Sequence, residues 1–308
     1  MTFIVDPEME IGLRDYVTED QGPDTIARRR EEARATHLPR APLAGVTVEE
    51  LWITPDGPRA LLYRPEGAQG PLPGVLHSHG GGYMFGLPEQ SHRRNGALAL
   101  DLGVAVLSVD YRKAPEHPYP AALNDMIAAW HWMQGQGDRF VPGRIALLGE
   151  SAGGGLAAAL ALALRDAGGV QPVFQCLIYP MIDDRTGSPA NPWTGPRHHV
   201  WTAASNVAGW TAYLGHVPGG EGVSYLAAPA RAANLSDLPP AWIGSGDIDL
   251  FVAEDVDFAM RLIARQIPCE IRVIPGAYHA FQRQAPDARQ TRLFESGYFA
   301  ALARAMSS

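Results

Sequence analysis

Apolar residues come in short runs separated by stretches of helical period, and this alternation continues along most of the chain. Positions 46–53 and 59–63 read as two strands joined by Thr54-Pro55-Asp56-Gly57-Pro58, a turn by composition. Strand-like runs then recur at 73–78, 104–109, 145–149, 173–179, 241–245 and 271–274. Helical patterns lie near 90–101, 120–136, 152–167, 253–266 and 286–305, and an earlier one covers 24–35 with Asp24 as a good N-cap. A hairpin followed by alternating β and α predicts an α/β fold, with a mostly parallel eight-stranded sheet covered by helices on both faces.

One stretch breaks the rhythm. Residues 183–228 hold no convincing strand, but carry Trp193, Trp201, Trp210 and Tyr213 among prolines and glycines. So long an excursion is usually functional. With residues 1–44 it is expected to form a helical cap over the C-terminal edge of the sheet, the catalytic domain being 45–182 and 229–308. Tyr83, Trp201 and Trp210 are the expected pocket aromatics. The plainer reading, that the tryptophans only fill an irregular excursion, is compatible with this one.

Composition narrows the classes. With 308 residues, 46% hydrophobic and 19% charged, the chain suits one large α/β domain or two small ones. A net charge of −8 argues against a nucleic-acid surface, and Arg28-Arg29-Arg30 runs straight into Glu31-Glu32 as a solvated helix face. Cys176 and Cys269 sit in apolar runs and read as buried free thiols. No signal core opens the chain, and the apolar stretch 152–164 is too short to span a membrane. A cytoplasmic protein without membrane or nucleic-acid partners is expected.

Within this pattern, Gly149-Glu150-Ser151-Ala152-Gly153 stands between a strand and an alanine-rich helix. That context makes G-x-S-x-G a nucleophile turn, lifting Ser151 at a strand end above a helix N-terminus. A serine hydroxyl needs a histidine to take its proton. His279 follows the strand 271–274 through Pro275-Gly276-Ala277-Tyr278, so it lies where loops converge in open α/β sheets. His131 and the His198-His199 pair have no such placement, and an adjacent pair without carboxylates or cysteines is a poor metal signal. The histidine needs a carboxylate, and the loop after strand 241–245 offers Asp247 and Asp249, one as acid and the other to cap the next helix. The oxyanion donors are expected from His79-Gly80-Gly81-Gly82-Tyr83 and from the Ala152 N–H. No phosphate-loop or nicotinamide fingerprint accompanies these glycines. The site needs neither metal nor organic cofactor.

These motifs, in this order, resemble the hormone-sensitive-lipase-like branch of the α/β-hydrolases, the bacterial family IV carboxylesterases. The similarity covers roughly residues 45–305. It rests on His79-Gly80-Gly81-Gly82, on the segment Asp110-Tyr111-Arg112-Lys113-Ala114-Pro115-Glu116-His117-Pro118, on Gly149-Glu150-Ser151-Ala152-Gly153-Gly154, on Asp249-Leu250-Phe251 and on Pro275-Gly276-Ala277-Tyr278-His279. The resemblance implies an α/β-hydrolase fold and a triad of Ser151, Asp249 and His279, which selects Asp249 over Asp247. It implies oxyanion donors at Gly81, Gly82 and Ala152, with Gly80 in the loop and His79 holding it by hydrogen bonds. Two positions depart from the family: Glu150, where aspartate is commoner, and Ala280, where glycine is common. Glu150 and Asp247 are expected behind the site, and Arg112 and Glu116 are read as a pair within a rigid turn. The activity implied is hydrolysis of small hydrophobic esters with short- to medium-chain acyl groups. The same triad permits amide, carbamate or lactone cleavage. Some relatives are non-catalytic receptors, but these tend to lose a triad member and this chain keeps all three. Relatives are frequently homodimers through an edge strand, and an open sheet leaves such an edge.

Overall fold

Eight strands form one sheet in the order β1-β2-β4-β3-β5-β6-β7-β8, in a computed structural model that describes residues 3–14 and 16–307. They are β1 (Val46–Trp52), β2 (Arg59–Pro65), β3 (Leu72–Ser78), β4 (Ala105–Asp110), β5 (Phe140–Glu150), β6 (Phe174–Ile178), β7 (Ala241–Gly246) and β8 (Cys269–Ile274). β2 pairs antiparallel with both β1 and β4, and every later pairing is parallel. All five residues of β6 and all six of β7 are buried, as the unbroken apolar runs of a sheet covered on both faces require.

The helices are α1 (Pro23–His37), α2 (His92–Leu102), α3 (Ala121–Gly135), α4 (Ala152–Ala167), α5 (Ala203–Leu214), α6 (Val252–Ala264), α7 (Phe281–Gln284) and α8 (Arg289–Ser307). α3, α4 and α6 cover one face of the sheet, with Trp130, Leu160 and Phe258 in the same core as Leu76 and Leu147. α2 and α8 cover the other, where Leu98, Phe294 and Tyr298 meet Val75, Leu148 and Trp242. α4 is buried over nearly its whole length, which its small alanines and glycines allow by letting it lie close to the strands.

The expected elements form, with shifts at their ends. α1 begins on Pro23, with Gly22 as the extended residue before it rather than Asp24. Proline suits the first helical position because its missing N–H would be unpaired there anyway. β5 starts at Phe140 rather than 145, after which a register shift against β3 absorbs the Pro142-Gly143 irregularity. Segment 183–228 holds no strand, but it does hold α5, which the residue pattern did not reveal. Its signals are Thr202, whose hydroxyl accepts from the Ser205 N–H, and Gly215, left-handed at the other end.

That excursion and the N-terminal segment are joined. Gln21 N donates to Ser205 Oγ at 2.8 Å, and Thr202 Oγ1 donates to Asp20 at 2.6 Å. Arg30 of α1 bonds the carbonyls of Met84 and Ala114 and pairs with Glu116. Arg112 pairs instead with Asp125 of α3. The expected Arg112–Glu116 pair is therefore absent, because each side chain finds a partner on a different helix. No helix among the described residues is long and apolar enough to cross a membrane.

Candidate active site

Four loops at the C-terminal ends of parallel strands meet at one point. β5 turns into α4 through Ser151, whose backbone is held at φ 55°, ψ −124°, an uncommon conformation for a residue with a side chain. The turn closes because Gly153 carries no Cβ; one there would lie 2.0 Å from the Ser78 carbonyl oxygen. The loop after β8 brings Nε2 of His279 to 3.0 Å from Ser151 Oγ. The loop after β7 brings Asp249 Oδ2 to 2.8 Å from His279 Nδ1. A carboxylate only accepts, so the shared proton sits on Nδ1 and leaves Nε2 free to accept from the serine hydroxyl. Ser151, Asp249 and His279 are all buried to within 5% exposure, so water screens their contacts little.

Aromatic rings fix the imidazole plane. Tyr179 meets His279 edge-on at 4.7 Å and Phe251 does so at 5.2 Å, with Trp201 at 6.4 Å. Asp249 also accepts from the Phe251 N–H at 3.0 Å, so it opens the turn into α6 itself. Asp247 does not cap that helix; its Oδ1 accepts from Gly276 N at 2.6 Å and ties the β7 and β8 loops together.

The loop after β3 supplies N–H groups. Gly81 and Gly82 have φ of 133° and 56°, and their amides have no acceptor among the described residues. The Ala152 N–H is the first of α4 and is free of intrahelical partners for that reason. His79 Nδ1 donates to the Gly80 carbonyl at 2.8 Å, its ring stacks on Tyr111 at 4.4 Å, and Tyr111 OH donates to the His79 carbonyl. Burial, with Lys113 nearby, pushes His79 down to about 3, so it is neutral. A Cβ at Gly80 would lie 3.1 Å from the Glu150 carbonyl oxygen, so this loop rides directly on the turn that carries Ser151.

Glu150 accepts from Ser91 Oγ at 2.7 Å and from Arg94 at 3.1 Å, and its Oε2 lies 2.9 Å from His77 Nε2. Burial alone would raise its pKa, but Arg94 and His77 outweigh that and hold it well below the usual carboxylate range.

A cavity of about 310 Å³ opens onto these groups. Trp201, Phe85, Tyr179 and Val200 give it apolar wall, and the N-terminal segment adds Tyr16, Gln21, Arg29 and Glu32. Tyr83 and Trp210, expected here, are elsewhere. Tyr83 has a left-handed backbone that turns its ring into the core, stacked on Tyr213 at 3.9 Å and 5.4 Å from Trp210. Trp210 is wholly buried on the inner side of α5. Tyr179, Phe85 and Arg283 also line the cavity, and of these Tyr179 alone carries a sequence signal, its place directly after β6. A larger cavity of about 460 Å³ lies beside Arg30, Arg59 and Lys113, whose charges are met by Glu116, Glu89 and Asp110. Its lining includes no serine, threonine or cysteine. No cluster able to hold a metal occurs among the described residues.

Similarity to known proteins agrees with this architecture. A family model described as alpha/beta hydrolase fold matches residues 75–283. Esterase LipI of Mycobacterium tuberculosis is 35% identical over 271 residues, spanning 85% of this chain and 82% of that one. Among solved structures, a bacterial heroin esterase superposes with a TM-score of 0.90 at 31% identity over 99% of both chains. An esterase from the bacterial hormone-sensitive lipase family superposes with a TM-score of 0.79 at 25% identity, over 98% of this chain and 99% of that one. The chain belongs to the α/β-hydrolase family, in its hormone-sensitive-lipase-like branch.

Proposed function

We propose that the protein is a serine carboxylesterase acting on small esters with short- to medium-chain acyl groups. The observation that carries this reading is the unbroken contact from Ser151 Oγ through the imidazole of His279 to Asp249, at 3.0 and 2.8 Å. Ser151 Oγ attacks the acyl carbonyl while Nε2 of His279 takes its proton, and Asp249 stabilises the imidazolium. Negative charge on the tetrahedral oxygen is met by the N–H groups of Gly81, Gly82 and Ala152. His279 then protonates the leaving alcohol. A water molecule, activated by the same imidazole, hydrolyses the acyl-enzyme and releases the acid. Esterase LipI, the bacterial heroin esterase and the esterase of the hormone-sensitive lipase family all carry esterase names, which supports ester over amide or lactone.

Size selection is assigned to a cap made of residues 1–44 and 183–228, a reading supported by the hydrogen bonds that join the two segments and by Gln21, one of the joining residues, lining the cavity. A cavity of about 310 Å³ suits a short acyl chain better than a long one.

Ser151→Ala is expected to lower kcat for a p-nitrophenyl butyrate probe by about 10⁴-fold or more with an unchanged fold by circular dichroism. Native protein should also be labelled once, at Ser151, by an organophosphonate. Retained turnover in the variant would refute the assignment. A rate maximum on long-chain triglyceride emulsions would refute the size reading alone.

A further inference from the structure

The cavity above Ser151 carries a charge that its walls do not balance. Its charged lining consists of Arg29, Glu32, Glu150 and Arg283. Glu150 is taken by Arg94 and His77. Glu32 is shared by Arg28 and Arg29, and Arg29 also donates to Gln21. The Arg283 guanidinium has no ion pair or hydrogen bond among the described residues, and it is exposed. In a chain of net charge −8, an unpaired cation at a site opening favours anionic solutes there over neutral ones.

Chemistry decides which part of a substrate meets it. The leaving oxygen has to reach Nε2 of His279 to be protonated. The alcohol portion therefore extends from the reacting carbon toward His279 and the chain that follows it. That chain is Ala280 and then α7, and Ala280, Arg283 and Gln284 all line the cavity. A guanidinium fork matches a carboxylate with two parallel hydrogen bonds, and the Gln284 amide beside it adds donors.

We infer that the preferred esters carry a carboxylate on their alcohol portion, and that Arg283 is the residue that selects them. This rests on the serine-esterase reading and adds a substrate class to it. The reaction balances as ester plus water giving the acid and a hydroxy-carboxylate, with no further reactant.

The test compares 4-acetoxybenzoate with its neutral counterpart 4-acetoxybenzamide. Both give the same acetyl-enzyme, so the ratio of their kcat/KM values reports only on the alcohol end. The ratio is expected to fall about fivefold in Arg283→Ala, the size of an exposed ion pair. It should fall further in Arg283→Glu, stay mostly intact in Arg283→Lys, and fall in the native protein between about 10 mM and about 1 M salt. A ratio that is the same in the native protein and all three variants overturns this inference and leaves the esterase reading standing. A native protein that hydrolyses neither compound, or a Ser151→Ala variant that hydrolyses both at the native rate, overturns the two together.

Discussion

Glu150 shows how much one side chain next to Ser151 is asked to do. Its one carboxylate reaches Ser91, Arg94 and His77 at once. Arg94 is only 13% exposed, so removing its counter-charge strands a buried cation. Glu150→Gln should therefore cost about 3–5 kcal/mol of stability at neutral pH, measured by urea unfolding. The gap should close in acid. The native carboxyl titrates below its unfolded value, so its contribution is complete above the unfolded pKa of about 4.5 and is lost as pH falls through the folded one. A gap that stays constant down to the acid limit would show that charge is not what Glu150 supplies. Asp247 and Asp249 make the contrasting case: two residues apart, both on loops, and separable by residue reading only through family likeness. Their roles divide in space, because one faces His279 Nδ1 and the other the Gly276 N–H.

Among the elements, the loop after β3 joins the donors to the 183–228 excursion. A Cβ on Gly82 would lie 2.2 Å from Cη2 of Trp201, and the Gly82 φ of 56° disfavours any side chain. Gly82→Ala should displace both the N–H at the oxyanion position and the Trp201 wall. A kcat loss of about 10²-fold is expected, with KM changed less, in steady-state kinetics on p-nitrophenyl butyrate. Unaltered kcat would remove this loop from the proposed mechanism. The excursion is anchored by Glu254 of α6, which accepts from the Ile182 and Asp183 N–H groups at 2.8 and 3.1 Å. Burial, with Asp183 nearby, raises that carboxyl well above its ordinary value. Nothing in the local pattern around Glu254 announces such a role, because its partners lie about seventy positions away in sequence.

At the scale of the molecule, β1 and β8 are the two open edges of the sheet. Beside β8, α6 exposes Val256, Met260 and Ile263, one stripe at helical spacing, and β8 itself exposes Val273. Such an edge with an apolar flank suits pairing with a second copy. Light scattering after size exclusion is expected to give a dimer, and Met260→Glu combined with Ile263→Glu a monomer; a monomeric native protein would contradict this. The sequence alone determined the alternation of strands and helices, the tight turn at Ser151 and the glycine loop, since these are local: each depends on period, turn chemistry and the absence of Cβ atoms within a few residues. It also placed His279 and a pair of candidate acids at strand ends. The tertiary structure decided what depends on distant chain segments meeting. It turned Tyr83 and Trp210 into core, gave Arg112 and Glu116 separate partners, lined the pocket with residues from Tyr16 to Thr36, and left Arg283 in its lining without an ion pair among the described residues. Burial and pairing of that kind are set by which surfaces pack together, and no periodicity along the chain encodes them.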